Sequence, residues 1–453
     1  MESKFWFRYD GYDVDPANGR LDFHYSYSNG PEFKESIDFC RPFPKEWRRS
    51  ALVSALRNLG LLIGISYYKA FCPNRIILGE DFSKSELAFH HKLYLKGLGE
   101  FAWRNGLDLS QKINFEAKSG SFVDEGEWSQ VGGNSFKDTL KNRAAVLLGG
   151  GKDSLVSVEL MRHMELPFCL FAVNPKGPIL ETAKASDIDL LSVRRTIDPQ
   201  LFRLNNSGAY NGHVPITAIV SMIAVCAAFI QGFDTIILSN ERSANEGNLE
   251  HDGVVVNHQY SKTLECERDL QQFIHDRVSA DLACFSLLRP LSELHIARLF
   301  THTKRYDHSF TSCNRAFVIE GHEQAKRWCG DCPKCRFAAL ILASAPQMTP
   351  QRLYSIQGHD LLDDAAQLEG YEALCGLSGH KPWDCVGEIR ESAVAMIYLY
   401  NQPAWKGKTV VHELAPRLLT RIPKWMDVLD DLLTPSPHHA LPEAYRGVLH
   451  DWI

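Results

Sequence analysis

Ala144-Ala145-Val146-Leu147-Leu148-Gly149-Gly150-Gly151-Lys152-Asp153-Ser154 decides how the rest of the chain is read. An apolar run suited to a buried strand leads into three glycines. A helical pattern follows, with Leu155, Val158, Leu160 and Met161 interleaved with Ser157, Glu159 and Arg162. A strand, a glycine turn and a helix start are the parts of an anion site. Glycines let backbone approach a phosphate closely, and free N–H groups at the helix N-terminus point at negative charge. Lys152 adds a point charge, and Asp153 and Ser154 suit a helix start. The Walker P-loop is excluded, because it needs Ser or Thr directly after Gly-Lys and Asp153 stands there. The plain alternative is a glycine turn without a ligand; the strand–loop–helix context favours phosphate.

Outward toward the C-terminus, Pro167–Asn174, Ile188–Ile197 and Thr235–Asn240 have the composition of further buried strands, separated by helical patterns. Strands alternating with helices imply an α/β fold with a parallel sheet and right-handed crossovers. Ligands of such sheets sit beyond the carboxyl ends of the strands. Three polar loops fall there: the glycine loop, the turn that begins at Asn174, and Ser239–Asn248, which carries Glu241, Arg242 and Glu246. That composition suits Mg²⁺ and phosphate, with Asn174 and Arg242 as nucleotide contacts; a solvated turn is the bland reading. His258 and Lys262 follow, and His213 precedes an apolar stretch, Val214–Ile230. That stretch is shorter than the ~20 residues a bilayer requires, so it is expected to be a core helix.

Cys313 with Cys329, Cys332 and Cys335 has the spacing of a closed zinc site, with a redox pair as the alternative. Toward the N-terminus, alternating segments split by Asn18-Gly19 and Asn29-Gly30 predict an antiparallel meander. Helices are expected over Glu46–Ala70 and Ser85–Asn105, the second interrupted at Gly97-Leu98-Gly99. Three regions result: an N-terminal α+β domain over 1–135, an ATP-binding α/β domain with the cysteine cluster over 140–345, and a helical region over 346–453. Within the last, Lys381-Pro382-Trp383-Asp384-Cys385 between glycines resembles a binding loop more than a helix connection.

At 453 residues, 45% hydrophobic and 23% charged, the chain has ample core for two or three domains. A net charge of −6 argues against a nucleic-acid partner. Met1–Trp6 lacks a signal-peptide apolar stretch, and the 12 cysteines form no secreted disulfide framework. A cytoplasmic, reducing compartment is expected, with no membrane partner; no motif bears on oligomeric state.

The glycine loop resembles the pyrophosphate loop (SGGxDS) of the PP-loop ATP pyrophosphatase superfamily, which splits ATP between its α- and β-phosphates. Gly149 stands where those enzymes usually have Ser. Taken in order with Asn211–Pro215, Ser239–Ser243, Asn257–Lys262, the cysteine cluster and Lys381–Gly387, it is similar to the UDP-N-acetyl-muramoyl-L-alanyl-L-glutamate epimerase family, MurL. The resemblance implies conversion of the terminal L-Glu of UDP-MurNAc-L-Ala-L-Glu to D-Glu in peptidoglycan synthesis. It also implies an acyl-adenylate, with ATP and Mg²⁺ consumed or bound and AMP and pyrophosphate released. Gly149, Gly150, Gly151, Lys152, Asp153 and Ser154 would hold the nucleotide, and Glu241, His213, His258, Lys262 and Cys385 are the candidates for proton transfer. The 7-cyano-7-deazaguanine synthases, which share the loop and a similar cysteine cluster, define the alternative reaction, amide or nitrile synthesis with ammonia.

Overall fold

The strand that feeds the glycine loop, Ala144–Leu147, is the third strand of one ten-stranded sheet and the middle one of its five parallel strands. A computed structural model of the chain describes residues 5–48, 50–117, 142–251, 254–317, 327–379 and 381–451. The architecture is α/β, with an N-terminal mixed sheet and a C-terminal helical region.

The meander comprises β1 (Phe7–Asp15), β2 (Arg20–Tyr27) and β3 (Glu32–Asp38), paired antiparallel as their alternation predicts. β4 (Ile76–Leu78) and β5 (Phe115–Ala117) extend its other edge in parallel. The parallel strands are β6 (Ala144–Leu147), β7 (Phe168–Val173), β8 (Leu190–Thr196), β9 (Thr235–Leu238) and, after a small ribbon of β10 (Leu249–His251) and β11 (Val254–Val256), β12 (Ala283–Ser286). From β6 the chain steps to β7 and β8, then crosses back to β9 and β12. The order therefore reverses between β6 and β9, and a crevice opens at such a switch point. The glycine loop follows β6, and Ser239–Asn248 follows β9.

Alternate residues of these strands face two different cores. Ala145, Cys169, Phe171, Ile236 and Cys284 pack with the N-terminal elements, whereas Val146, Leu170, Ile237 and Phe285 pack with the C-terminal helices. A sheet covered on both faces needs apolar residues in both phases, hence the near-continuous runs. The stretch from Val214 to Ile230 contains helix Ile216–Ala227 and a π-helical turn, Ala228–Gly232, buried in the first core. Ala51–Tyr68 is also apolar enough to cross a bilayer, but 94% of it is buried inside the molecule.

The expected helix over Glu46–Ala70 is Ser50–Ile63 followed, after Gly64, by Ile65–Tyr68. That over Ser85–Asn105 divides into Lys84–Gly97 and Gly99–Arg104, at the predicted interruption. Two features escaped the sequence reading. β12 is short and shows no alternation, and β8 joins β3 antiparallel, so a single sheet runs across the boundary expected near residue 140.

Candidate functional site

At the carboxyl end of β6 the backbone turns through Gly150, whose φ of +77° lies in the left-handed region. Its carbonyl accepts from the Thr311 N–H at 3.1 Å. A Cβ there would lie 3.2 Å from the Ile179 nitrogen, whereas one on Gly149 would meet nothing within 4 Å. The loop is thus braced on one side and open on the other. Gly151 caps helix Lys152–His163, and the Ser154 hydroxyl donates back to the Gly151 carbonyl at 3.0 Å.

Lys152 is buried and ion-paired with both Asp153 and Glu293. Burial works against its charge, but the two carboxylates outweigh that and hold its pKa above the usual lysine value. Glu293, first residue of helix Glu293–Thr301, is pushed well above the carboxylate range by burial and by Asp153. Carboxylate oxygens of Asp153, Glu241 and Glu293 come within 4.8 Å of one another. Buried Glu391 backs them: it accepts from the Glu293 N–H at 2.9 Å, the Ser243 hydroxyl at 2.8 Å and the Glu388 N–H at 2.7 Å. Burial, then Glu388, pushes Glu391 up to about 7. Hard oxygen ligands crowded in a dry site suit a divalent cation such as Mg²⁺.

Arg289, fully buried, ties this cluster to its neighbour. It donates to the carbonyls of Glu241 and Lys262, each at 2.6 Å, and is anchored by Glu267 at 2.7 Å. The Lys262 ammonium and the His258 ring both adjoin Cys385. His258 Nδ1 meets the carboxylate of Glu100, a buried residue of helix Gly99–Arg104. The His213 ring lies 4.3 Å from that of His258. Burial alone would favour a neutral His258, but Cys385 and Glu100 push it up to about 9. Burial would likewise raise the Cys385 thiol, yet Lys262, Lys334 and His258 bring it down to about 6. His213 is pushed down to about 4 by burial and then by His258. Two residues before His213, Asn211 accepts from Lys69 at 2.7 Å.

The segment carrying Cys385 is pinned from both sides. Lys381 pairs with Glu246, the Asn248 amide donates to the Pro382 carbonyl at 3.3 Å, and Trp383 packs 5.0 Å from Trp103. His213, His258, Lys262 and Cys385 therefore lie in one basic cluster, and Glu241 lies with the loop carboxylates. The other two expected nucleotide contacts, Asn174 and Arg242, have protein partners. The Asn174 amide bridges β7 to β8, donating to the Arg195 carbonyl at 2.7 Å and accepting from its N–H at 2.8 Å. Arg242 reaches the carbonyls of Asp431 and Thr434 through Nη1 alone, at 3.5 and 3.4 Å, and its Nε and Nη2 have no hydrogen-bond partner among the described residues. Sequence reasoning missed Glu100, Arg289, Glu293 and Glu391, since each occurs in an ordinary helix or turn with no motif around it.

The four sulfurs of Cys313, Cys329, Cys332 and Cys335 converge, with separations of 3.9, 3.7 and 3.5 Å. A tetrahedral ion with metal–sulfur bonds of ~2.3 Å requires sulfurs ~3.8 Å apart. The donor set fits a soft divalent metal, and all four side chains are buried or half-buried.

A glycine loop beside a carboxylate cluster and a cluster of two histidines, a lysine and a thiol has the make-up of an enzyme site. The MurL N-terminal domain model matches residues 2–287 and the MurL C-terminal domain model matches 309–426. The chain belongs to the MurL family. It is 40% identical to the UDP-N-acetyl-alpha-D-muramoyl-L-alanyl-L-glutamate epimerase of Micromonospora sp., over 98% of this chain and 97% of that one. Proteins of the same name from Salinispora tropica (42% identical, covering 90% of this chain and 88% of the relative) and Xanthomonas oryzae pv. oryzae (39%, covering 97% and 95%) are similar as well.

Proposed function

We propose that the chain is an ATP-dependent epimerase that inverts the terminal L-Glu of UDP-MurNAc-L-Ala-L-Glu for peptidoglycan synthesis. The relatives' shared name supports the substrate and the inversion. The observation that carries the ATP requirement is the glycine loop at the β6/β9 switch point, facing Lys152 and three carboxylates. That site supports assignment of the core to the PP-loop ATP pyrophosphatase class.

A Cα–H beside a carboxylate resists removal because the carbanion would form next to a negative charge. The substrate α-carboxylate attacks the α-phosphorus of ATP, the bond to pyrophosphate breaks, and the resulting mixed anhydride no longer carries that charge. The glycine loop N–H groups and Lys152 bind the leaving phosphates. Asp153, Glu241 and Glu293 would hold Mg²⁺, which neutralises phosphate charge when bound. The α-proton then passes through the basic cluster of His213, His258, Lys262 and Cys385, and water cleaves the adenylate. Zinc at the four cysteines has a structural role in this reading. ATP and a nucleotide-linked substrate are cytosolic molecules, which supports a cytoplasmic site of action.

Incubation with ATP, Mg²⁺ and UDP-MurNAc-L-Ala-L-Glu is expected to give AMP, pyrophosphate and the D-Glu product on chiral analysis. Release of ADP, or inversion without ATP, would overturn the proposal. Ammonia-dependent AMP release with nitrogen in the product would select the amide-synthase chemistry instead.

A further inference from the structure

Cys385 is the group in the basic cluster on which cations converge. His258 and Lys262 both adjoin its sulfur, and Lys334 adds to the positive field. His258 is fixed at Nδ1 by Glu100, and Glu100 is fixed by Arg104 at 2.6 Å. The His213 ring lies tilted at 46° to that of His258, and Asp384 precedes Cys385 in the chain, within the field of His258 and Lys334. A sulfur beside an imidazole that a carboxylate orients is the arrangement that activates a thiol. Lys262 also lies in the field of Glu241 and Asp153, so it stands between the sulfur and the carboxylates of the glycine-loop cluster.

Resting on the epimerase reading, we propose that Cys385 is the thiolate that takes the α-proton of the activated glutamyl residue. Glu100, from the N-terminal region, is a positioning residue that keeps the sulfur anionic through His258. In the proton transfer a sulfur lone pair binds the α-hydrogen, an S–H bond forms, and the C–H electron pair moves into the acyl carbonyl. Water on the opposite face gives a proton to Cα, its O–H bond breaking as the electron pair returns from the carbonyl to make the new C–H bond, and the hydroxide left behind takes the proton from the thiol. Nothing is oxidised or reduced, and the α-hydrogen is exchanged. A base that is half ionised near the working pH is the efficient one for such a transfer.

Two measurements test this. In the full chain without substrate, site-resolved iodoacetamide alkylation of Cys385 against pH is expected to reach half-maximum near pH 6. Glu100→Gln should move that midpoint up by a pH unit or more with the thermal midpoint retained. A wild-type midpoint at the ordinary thiol value of ~8.5 would overturn the proposal. With ATP and substrate in D₂O, Cys385→Ser should still release AMP but lose deuterium incorporation at Cα by 100-fold or more. Undiminished incorporation, a substrate adduct on the Cys385 sulfur, or a transition metal bound by Glu100, His213 and His258 would each refute it. If the wild type itself released no AMP, the epimerase reading would fail while the alkylation result still decided the state of the sulfur.

Discussion

Gly150 is the position where one methyl group tests the glycine loop. Its φ of +77° disfavours any L side chain, and an added Cβ would press on the Ile179 nitrogen at 3.2 Å. Gly150→Ala should cost about 1–2 kcal/mol from the left-handed backbone alone. It should also raise the KM for ATP, because relief of that strain moves the N–H groups facing the phosphates. Steady-state AMP release and a denaturant midpoint check the two effects separately. A second residue-level expectation concerns pH. The thiolate form of Cys385 is lost as pH falls through about 6, and the charged form of His258 is lost as pH rises through about 9. Deuterium exchange at Cα should therefore be bell-shaped between those limits. The two limbs belong to the pair as a unit, since each group shifts the other. In Glu100→Gln the two limbs should approach one another; unchanged limbs would assign the profile to other groups.

At the scale of elements, the cysteine cluster and the glycine loop are mechanically linked. Cys313 lies two residues beyond Thr311, whose N–H is the brace on the Gly150 carbonyl. Cys332 caps helix Pro333–Ala343, which is packed in the core beneath the loop. Removal of the metal should loosen the brace before it melts the sheet. Cys332→Ser is expected to lower zinc content from one equivalent toward none by elemental analysis, to lower the thermal midpoint and to raise the KM for ATP more than it lowers kcat. Unaltered zinc content would remove Cys332 from the ligand set. The same elements show what a sequence discloses. β6, β7 and the loop after them were legible because a strand buried on both faces is a continuous apolar run ended by turn residues. His213, His258, Lys262 and Cys385 stood out as unusual polar residues in loops. Glu293 did not, because Ser292-Glu293 looks like any helix start, and Glu100 did not, because its importance lies in a partner far along the chain, His258. Non-local partnership leaves no mark within a short window.

At the scale of the molecule, the N-terminal region joins the parallel strands within the sheet through the antiparallel pairing of β3 with β8, and packs with them in a shared core. Arg195 of β8 and Glu35 of β3 form a buried ion pair across it at 2.6 Å, and the same guanidinium reaches the Ser66 hydroxyl at 3.3 Å. The geometry explains why a sheet of two parentages behaves as one body. Glu100 belongs to the region that docks on β8 through β3, so the seating of that region bears on the basic cluster. Breaking one partner of a buried pair leaves the other charge uncompensated, a loss of about 3–5 kcal/mol. Arg195→Met should therefore lower stability by that order in urea unfolding. In the fraction that remains folded it should raise the alkylation midpoint of Cys385, since Glu100 no longer holds His258 in place. The double variant Glu35→Leu/Arg195→Met removes both charges and should recover much of the stability and return the midpoint toward the wild-type value. If Arg195→Met lost stability but left the Cys385 midpoint where it was, the junction would hold the fold together without positioning the site.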